Sequence, residues 1–108
     1  VRIDVTDAAS VDAAIAELTE RFGGRLSGVV NNAGIVVAGP LELVSDERLA
    51  RQFEVNVLGL MRVTRGCLPL LRANGGGRIV NISSIAGRSA TPVTGAYGAS
   101  KFAVEALS

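Results

Sequence analysis

The sequence predicts an α/β protein built on a doubly wound parallel sheet. Three observations predict it: short β-branched runs alternate with longer stretches of helical apolar spacing, each apolar run ends in small polar residues, and no internal repeat or low-complexity tract competes with that alternation. Strands separated by crossover helices pair in parallel and are covered by helices on both faces.

Residues 1–5 alternate apolar and polar and read as the end of a strand, after which Thr6 and Asp7 supply turn and cap chemistry. Over residues 10–22, Val11, Ile15, Leu18 and Phe22 recur at helical spacing, with Asp12, Glu17, Glu20 and Arg21 off that face. Gly23 and Gly24 stop this helix. Residues 26–30 form a short apolar strand that meets Asn31-Asn32-Ala33-Gly34, small polar residues that cannot continue a packed strand. After a loop with Gly39 and Pro40, Ser45, Asp46 and Glu47 make a helix start whose acidic first turn suits the positive end of the helix dipole. That helical stretch runs to about residue 72 and is interrupted by Asn56, Gly59 and Pro69, which predicts two pieces or one kinked helix. Asn74-Gly75-Gly76-Gly77 ends it. Residues 78–82 are a β-branched strand giving way to Ser83-Ser84, and a last helix starts near Ala96 after a loop with Pro92.

The chain has 108 residues, one cysteine and no histidine. Those counts exclude a Ser-His-Asp triad, a Cys-His dyad, an HExxH zinc helix, an internal disulfide and a four-cysteine metal site, and no other metal site is expected. Acid–base chemistry here must move its proton on tyrosine, lysine or a carboxylate. Eleven Lys and Arg are spread among ten Asp and Glu, and a net charge of +1 leaves no electrostatic footprint for nucleic acid or anionic membrane. No apolar run approaches the roughly 20 residues that span a bilayer. The amino end lacks the pattern of a signal peptide, so the expected location is cytoplasmic. Cys67 and Met61 read as core or interface side chains.

Ligands of open parallel sheets bind beyond the carboxyl ends of the strands. Asp4 with Thr6, Asn31 with Asn32 and Gly34, and Ser83 with Ser84 all fall there. Each group alone is what an ordinary strand-to-helix turn requires. Tyr97-Gly-Ala-Ser-Lys101 adds chemistry, because a spacing of four places Tyr97 and Lys101 on one helical face, about 6 Å apart along the axis. Free tyrosine ionises near pH ~10, and an adjacent ammonium favours the phenolate. A bare YxxxK is most simply an interfacial tyrosine and a solvated lysine, so its surroundings decide.

Those surroundings are Asp4-Val5, Asn31-Asn32-Ala33-Gly34, Asn56-Val57-x-Gly59, Gly77-Arg-Ile-Val-Asn-Ile-Ser-Ser84 and Tyr97-x-x-x-Lys101. In order and spacing the sequence resembles the short-chain dehydrogenase/reductase family, in its classical subgroup. The resemblance implies a Rossmann-type domain and an NAD(P)-dependent oxidoreductase that moves hydride between nicotinamide and an alcohol or carbonyl carbon. It implies that Tyr97 is the general acid in reduction and the base in oxidation, and that Lys101 binds the nicotinamide ribose and favours ionised Tyr97. It further implies that Ser84, with Ser83 as its less favoured neighbour, hydrogen-bonds the substrate oxygen, and that Asn56 holds a proton-relay water. The local reading of Asn56 is an asparagine that caps a kink, and both can hold, since a broken helix frees a carbonyl for water. For the cofactor, NAD or NADP, the resemblance puts Asp4 and Val5 against the adenine, and Asn32, Ala33 and Gly34 along the adenosine ribose and the central strands. It also implies a homodimer or homotetramer.

The glycine-rich TGxxxGxG turn, the residue that chooses between NAD and NADP, and the later elements that shape a substrate pocket are absent from residues 1–108. Gly75-Gly76-Gly77 precedes a strand, and Gly95-x-x-Gly98-Ala-Ser-Lys101 lacks the adjacent Gly-Lys of a phosphate loop. The expectation is therefore the central part of one NAD(P)-binding domain, poorly folded and inactive when isolated because buried-type strands keep open edges. The expected substrate is a secondary alcohol or ketone, with a hint of retinol- or steroid-like hydroxyls in Gly39-Pro40-Leu41-Glu42 and Phe53-Glu-Val-Asn56. A 3-oxoacyl thioester and a non-catalytic dinucleotide scaffold are the alternatives.

Overall fold

A computed structural model describes residues 1–108. Helix α1, Ala8–Phe22, starts where the Asp7 side chain accepts the Ala9 N–H, and ends at Gly23, whose left-handed backbone lets its N–H reach Thr19 O. Strand β1, Gly28–Asn31, pairs in parallel with β2, Arg78–Asn81, in the register Gly28 with Arg78 through Asn31 with Asn81. A 3-10 turn, Leu41–Leu43, leads to α2, Asp46–Phe53, capped by Ser45 Oγ accepting the Arg48 N–H. The chain then widens into a π-helical segment, Glu54–Gly59, and continues as α3, Leu60–Ala73. A second 3-10 turn, Ile85–Gly87, precedes α4, Gly95–Leu107.

The expected break of the long helix is thus one wide turn in a continuous helical run. Asn56 and Gly59 lie inside it, and Pro69 sits within α3 without ending it. Gly59 explains the location: a Cβ there would stand 2.7 Å from Val5 Cγ2 and 3.1 Å from Val5 O, so only glycine lets the segment at residues 4–5 lie against the helix.

The strand end expected at residues 1–5 does not form, and the sheet has two strands where three were expected. A strand needs a partner ladder. Here Val5 O is taken by the Arg62 guanidinium at 3.2 Å, Arg62 is itself paired with Glu54, and residues 4–7 close a turn through Asp7 N–H to Asp4 O.

Helix α1 packs on α3, burying Val11 and Ala14 on one side and Cys67, Leu70 and Leu71 on the other; Val37, Val55, Leu60, Ala96 and Val104 are the remaining buried apolar residues. Burial pushes the Cys67 thiol above its ordinary value of 9.0, and the core placement expected for it holds. Helix cover over the sheet is partial: Val30 of β1 and Val80 of β2 remain 64% and 47% exposed. The radius of gyration is 15.3 Å, against about 13 Å for a compact chain of this size, so the molecule is a slab rather than a sphere. No helix is long and apolar enough to cross a membrane.

Candidate active site

Helix α4 carries Tyr97 and Lys101, and it docks closely because small residues face the turn after β2. A Cβ on Gly98 would come within 3.1 Å of Ala86 O, and one on Gly87 within 2.9 Å of Lys101 O. Lys101 is buried and donates from Nζ to Ile82 O at 2.9 Å, with its ammonium 5.9 Å from the centre of the Tyr97 ring. The one-turn spacing read from the sequence therefore becomes an ammonium beside a phenol. No carboxylate forms an ion pair with Lys101, and two of its three N–H groups are left for other acceptors.

Ser84 holds an extended backbone after β2, and its Oγ accepts the Ala86 N–H at 3.2 Å. That bond uses a lone pair and leaves the hydroxyl proton available. Its neighbour Ser83 keeps its Oγ buried without a partner.

Asn56 is almost completely buried in the wide turn. Its Oδ1 accepts the Ile35 N–H at 2.8 Å, and its Nδ2 donates to Ile35 O at 2.9 Å and to Ser100 Oγ at 3.0 Å. Ser100 Oγ in turn donates to Tyr97 O at 2.7 Å. The Asn56 carboxamide is therefore committed to protein partners and braces the loop after β1 against α4. Gly34 completes the cluster: a Cβ there would lie 3.4 Å from Asn56 Oδ1 and 3.7 Å from Lys101 Nζ, so its bare backbone leaves the ammonium accessible from that side.

Asp4, Val5, Ala33 and Gly34 line one open groove of about 470 Å³ that also meets Arg51 and Val55. Asp4 Oδ1 accepts both the Thr6 hydroxyl at 2.8 Å and the Thr6 N–H at 2.9 Å. These bonds, hydroxyl first, hold the Asp4 carboxyl below its ordinary 3.8, with smaller help from Arg51 and Arg2. Asn32 is exposed and lies outside this network. The support of the central strands expected of Asn32 with Ala33 and Gly34 includes a side-chain tie made by Asn31, whose Nδ2 donates to Asn81 Oδ1 at 2.8 Å and to Thr64 Oγ1 at 3.0 Å. Strand alternation explains why Asn31 makes it: adjacent residues point to opposite faces, and in the observed register Asn31 stands opposite Asn81.

The structure gathers Gly34, Asn56, Tyr97 and Lys101 beyond the ends of β1 and β2, with Ser84 on the turn that α4 packs against, and puts Asp4 and Val5 in the groove that Gly34 also lines. Sequence reasoning placed Asn31 at the strand end without giving it a role, and missed Gln52 and Ser100. Ser100 lies between Tyr97 and Lys101 and could have been flagged by its three-residue spacing from Tyr97 alone. Gln52, one helical turn before Asn56, offered only a polar residue at core spacing.

Fold and site together define a Rossmann-type α/β protein. The chain belongs to the short chain dehydrogenase family, whose sequence profile matches residues 1–108. It is 38% identical over 107 residues to 17-beta-hydroxysteroid dehydrogenase type 1 of Homo sapiens, covering 99% of this chain and 32% of that protein. Its fold matches a short chain dehydrogenase/reductase from Burkholderia phymatum solved with NAD, with a TM-score of 0.92 and 39% identity over 99% of this chain and 38% of the other. An alcohol dehydrogenase from Thermococcus sibiricus solved with 5-hydroxy-NADP matches with a TM-score of 0.91 and 34% identity, over 97% of this chain and 44% of that one. These structures are consistent with NAD or NADP and do not choose between them. The chain spans 37% and 39% of the length of two curated relatives that it matches.

Proposed function

We propose that the protein is an NAD(P)-dependent oxidoreductase acting on a secondary alcohol or its ketone. The observation that carries this reading is the buried Lys101 ammonium, held by one backbone carbonyl beside Tyr97 and reachable past the bare backbone of Gly34. A buried cation with unused donors suits a ribose diol, and the open groove bordered by Ala33 and the bare backbone of Gly34 suits a nucleotide, so the residues present fit the cofactor. Lys101 and Tyr97 would hold the nicotinamide ribose; Asn32, Ala33 and Gly34 the adenosine ribose; Asp4 and Val5 the adenine. When bound, the nicotinamide supplies or accepts the hydride.

The chain's own residues handle orientation and the proton. Tyr97 O–H donates to the substrate oxygen in reduction and takes the proton back in oxidation. Ser84, its Oγ fixed by the Ala86 N–H, turns its free hydroxyl proton to the same oxygen and stabilises charge gathering there; Ser83 is the alternate. Since both N–H groups and one oxygen lone pair of the Asn56 carboxamide are engaged, the main chain of the wide turn is the favoured holder of a relay water. Val36, Leu41, Leu43, Ile85 and Val93 are exposed on the two loops flanking this end, which favours an apolar substrate body of the steroid or retinol kind. Exposed Leu58 of the wide turn, with Phe102 and Leu107 of α4, favours pairing of the long helical run and α4 with copies of themselves in a homodimer or homotetramer.

Tyr97→Phe in the whole protein tests the reading. Turnover of a hydroxysteroid or its ketone with NAD(H) or NADP(H) should fall about 10²–10⁴-fold. Quenching of nucleotide fluorescence should show cofactor binding retained. Undiminished turnover rejects Tyr97 as the proton-transfer group.

A further inference from the structure

Gln52 of α2 is fully buried, yet the proton chemistry does not use it. Its Oε1 accepts the Val37 N–H at 2.6 Å. One helical turn later, Asn56 takes both the N–H and the C=O of Ile35. Four residues of helix advance about 6 Å, and two residues of extended chain advance about 6.7 Å. Two carboxamides four residues apart therefore match the spacing of residues 35 and 37: Asn56 pairs with both backbone groups of Ile35 as a neighbouring strand would, whereas Gln52 takes only the Val37 N–H and leaves its own buried Nε2 without a partner. The orientation of the Gln52 amide follows from the same contact, because the Val37 N–H requires an acceptor.

The braced segment is tied onward. Gly39 N–H donates to Val93 O at 2.7 Å, and Val93 holds φ at +60°, a left-handed backbone that β-branched residues rarely adopt. Thr94, the next residue, is the N-cap position of α4, three residues before Tyr97. A continuous set of contacts thus runs from Gln52 through residues 37–39 to the approach of Tyr97.

We propose that Gln52 is a positioning residue: with Asn56 it holds residues 35–37 as a false strand, and through the Gly39–Val93 bond it sets the gap between that segment and the loop leading to Tyr97. Its kinetic consequence rests on the function proposed above, whereas its structural core does not.

Amide hydrogen exchange in the whole protein, read residue by residue, tests the structural core. Ile35 and Val37 should exchange at least about ten-fold more slowly than Val36 and Ala38, whose amides lack these acceptors. Val37 exchanging as fast as Val36 overturns the proposal without any variant having to fold. Gln52→Met, similar in size but with no acceptor, should release Val37 and Gly39 while α1 stays protected. Gln52→Glu, which keeps an acceptor oxygen, should restore Val37. Equal loss of protection in every element of Gln52→Met would mark Gln52 as a general core residue and also overturn the proposal. In kinetics, Gln52→Met should raise KM for the carbonyl substrate several-fold with kcat within about two-fold, and Gln52→Glu should bring KM back. An unchanged KM with Val37 released overturns the link to the site. Absence of turnover in the unmodified protein, with the exchange pattern intact, would refute the proposed function and leave the brace standing.

Discussion

Lys101 shows how much one side chain's surroundings decide. A lysine three residues beyond Gly98 is usually a solvated surface group; here the close approach of α4 to the turn after β2 buries its stem and points its ammonium at Ile82 O. Two other residues make sharper tests at this scale. Cys67 is 3% exposed and burial raises its thiol, so iodoacetamide near pH ~8 should leave the folded protein unmodified and label it only in denaturant. Because the thiol is raised above 9.0, its protonated form stabilises the fold below that pH, and the contribution fades as pH climbs through the raised value. Asp4 behaves oppositely. The Thr6 bonds lower its carboxyl, so their contribution is present above about pH 4 and disappears as pH falls through the depressed value. An NMR titration of Asp4 should give a midpoint below 3.8, and Thr6→Val should move it upward by removing the hydroxyl bond.

At the scale of elements, glycines set the distances between neighbours. Gly59 brings residues 4–5 onto the wide turn, and Gly87 brings the turn after β2 onto α4. Gly87→Ala would put a methyl 2.7 Å from Ser83 Oγ and 2.9 Å from the Lys101 backbone oxygen. The helix backbone cannot yield as a flexible side chain would, so the expected cost is about 1–3 kcal/mol in urea unfolding. It should be accompanied by reduced turnover, as the turn carrying Ser83 and Ser84 is pushed away from Lys101. Gly59→Ala meets Val5 Cγ2 at 2.7 Å and Val5 O at 3.1 Å, and should destabilise by a similar amount. The helical run itself was legible from its Ser45 start to about residue 72, as were Asn56 and Gly59 as its irregular residues, whereas Pro69 interrupts nothing. That the irregularity would be a π turn was not, because its form depends on Val5, more than fifty residues earlier in the chain.

For the whole molecule, the exposed apolar surface is concentrated on the sheet and the site-end loops. Val30, Val80 and Ile82 stand 64%, 47% and 43% exposed. Buried-type strands in that condition leave both apolar area and ladder groups unsatisfied. Residues 1–108 expressed alone should accordingly bind a hydrophobic dye, unfold without a sharp transition by circular dichroism, and turn over no NAD(P)H. A cooperative transition with measurable turnover would contradict this. The elongated dimensions, 49 × 25 × 15 Å, agree with a layer that lacks cover rather than a closed core.

The sequence by itself determined the alternation of strands and helices, their caps, and the Tyr97–Lys101 pairing, because these depend on neighbours within one or two turns. Asp7, Gly23 and Ser45 act at the termini where local chemistry requires them. The tertiary structure alone decided that residues 1–5 stay unpaired, that Asn31 rather than Asn32 ties the strands, and that Gln52 and Asn56 brace a loop 15 to 21 residues earlier. Each of these depends on which distant backbone group lies within hydrogen-bond reach, and local spacing carries no record of that.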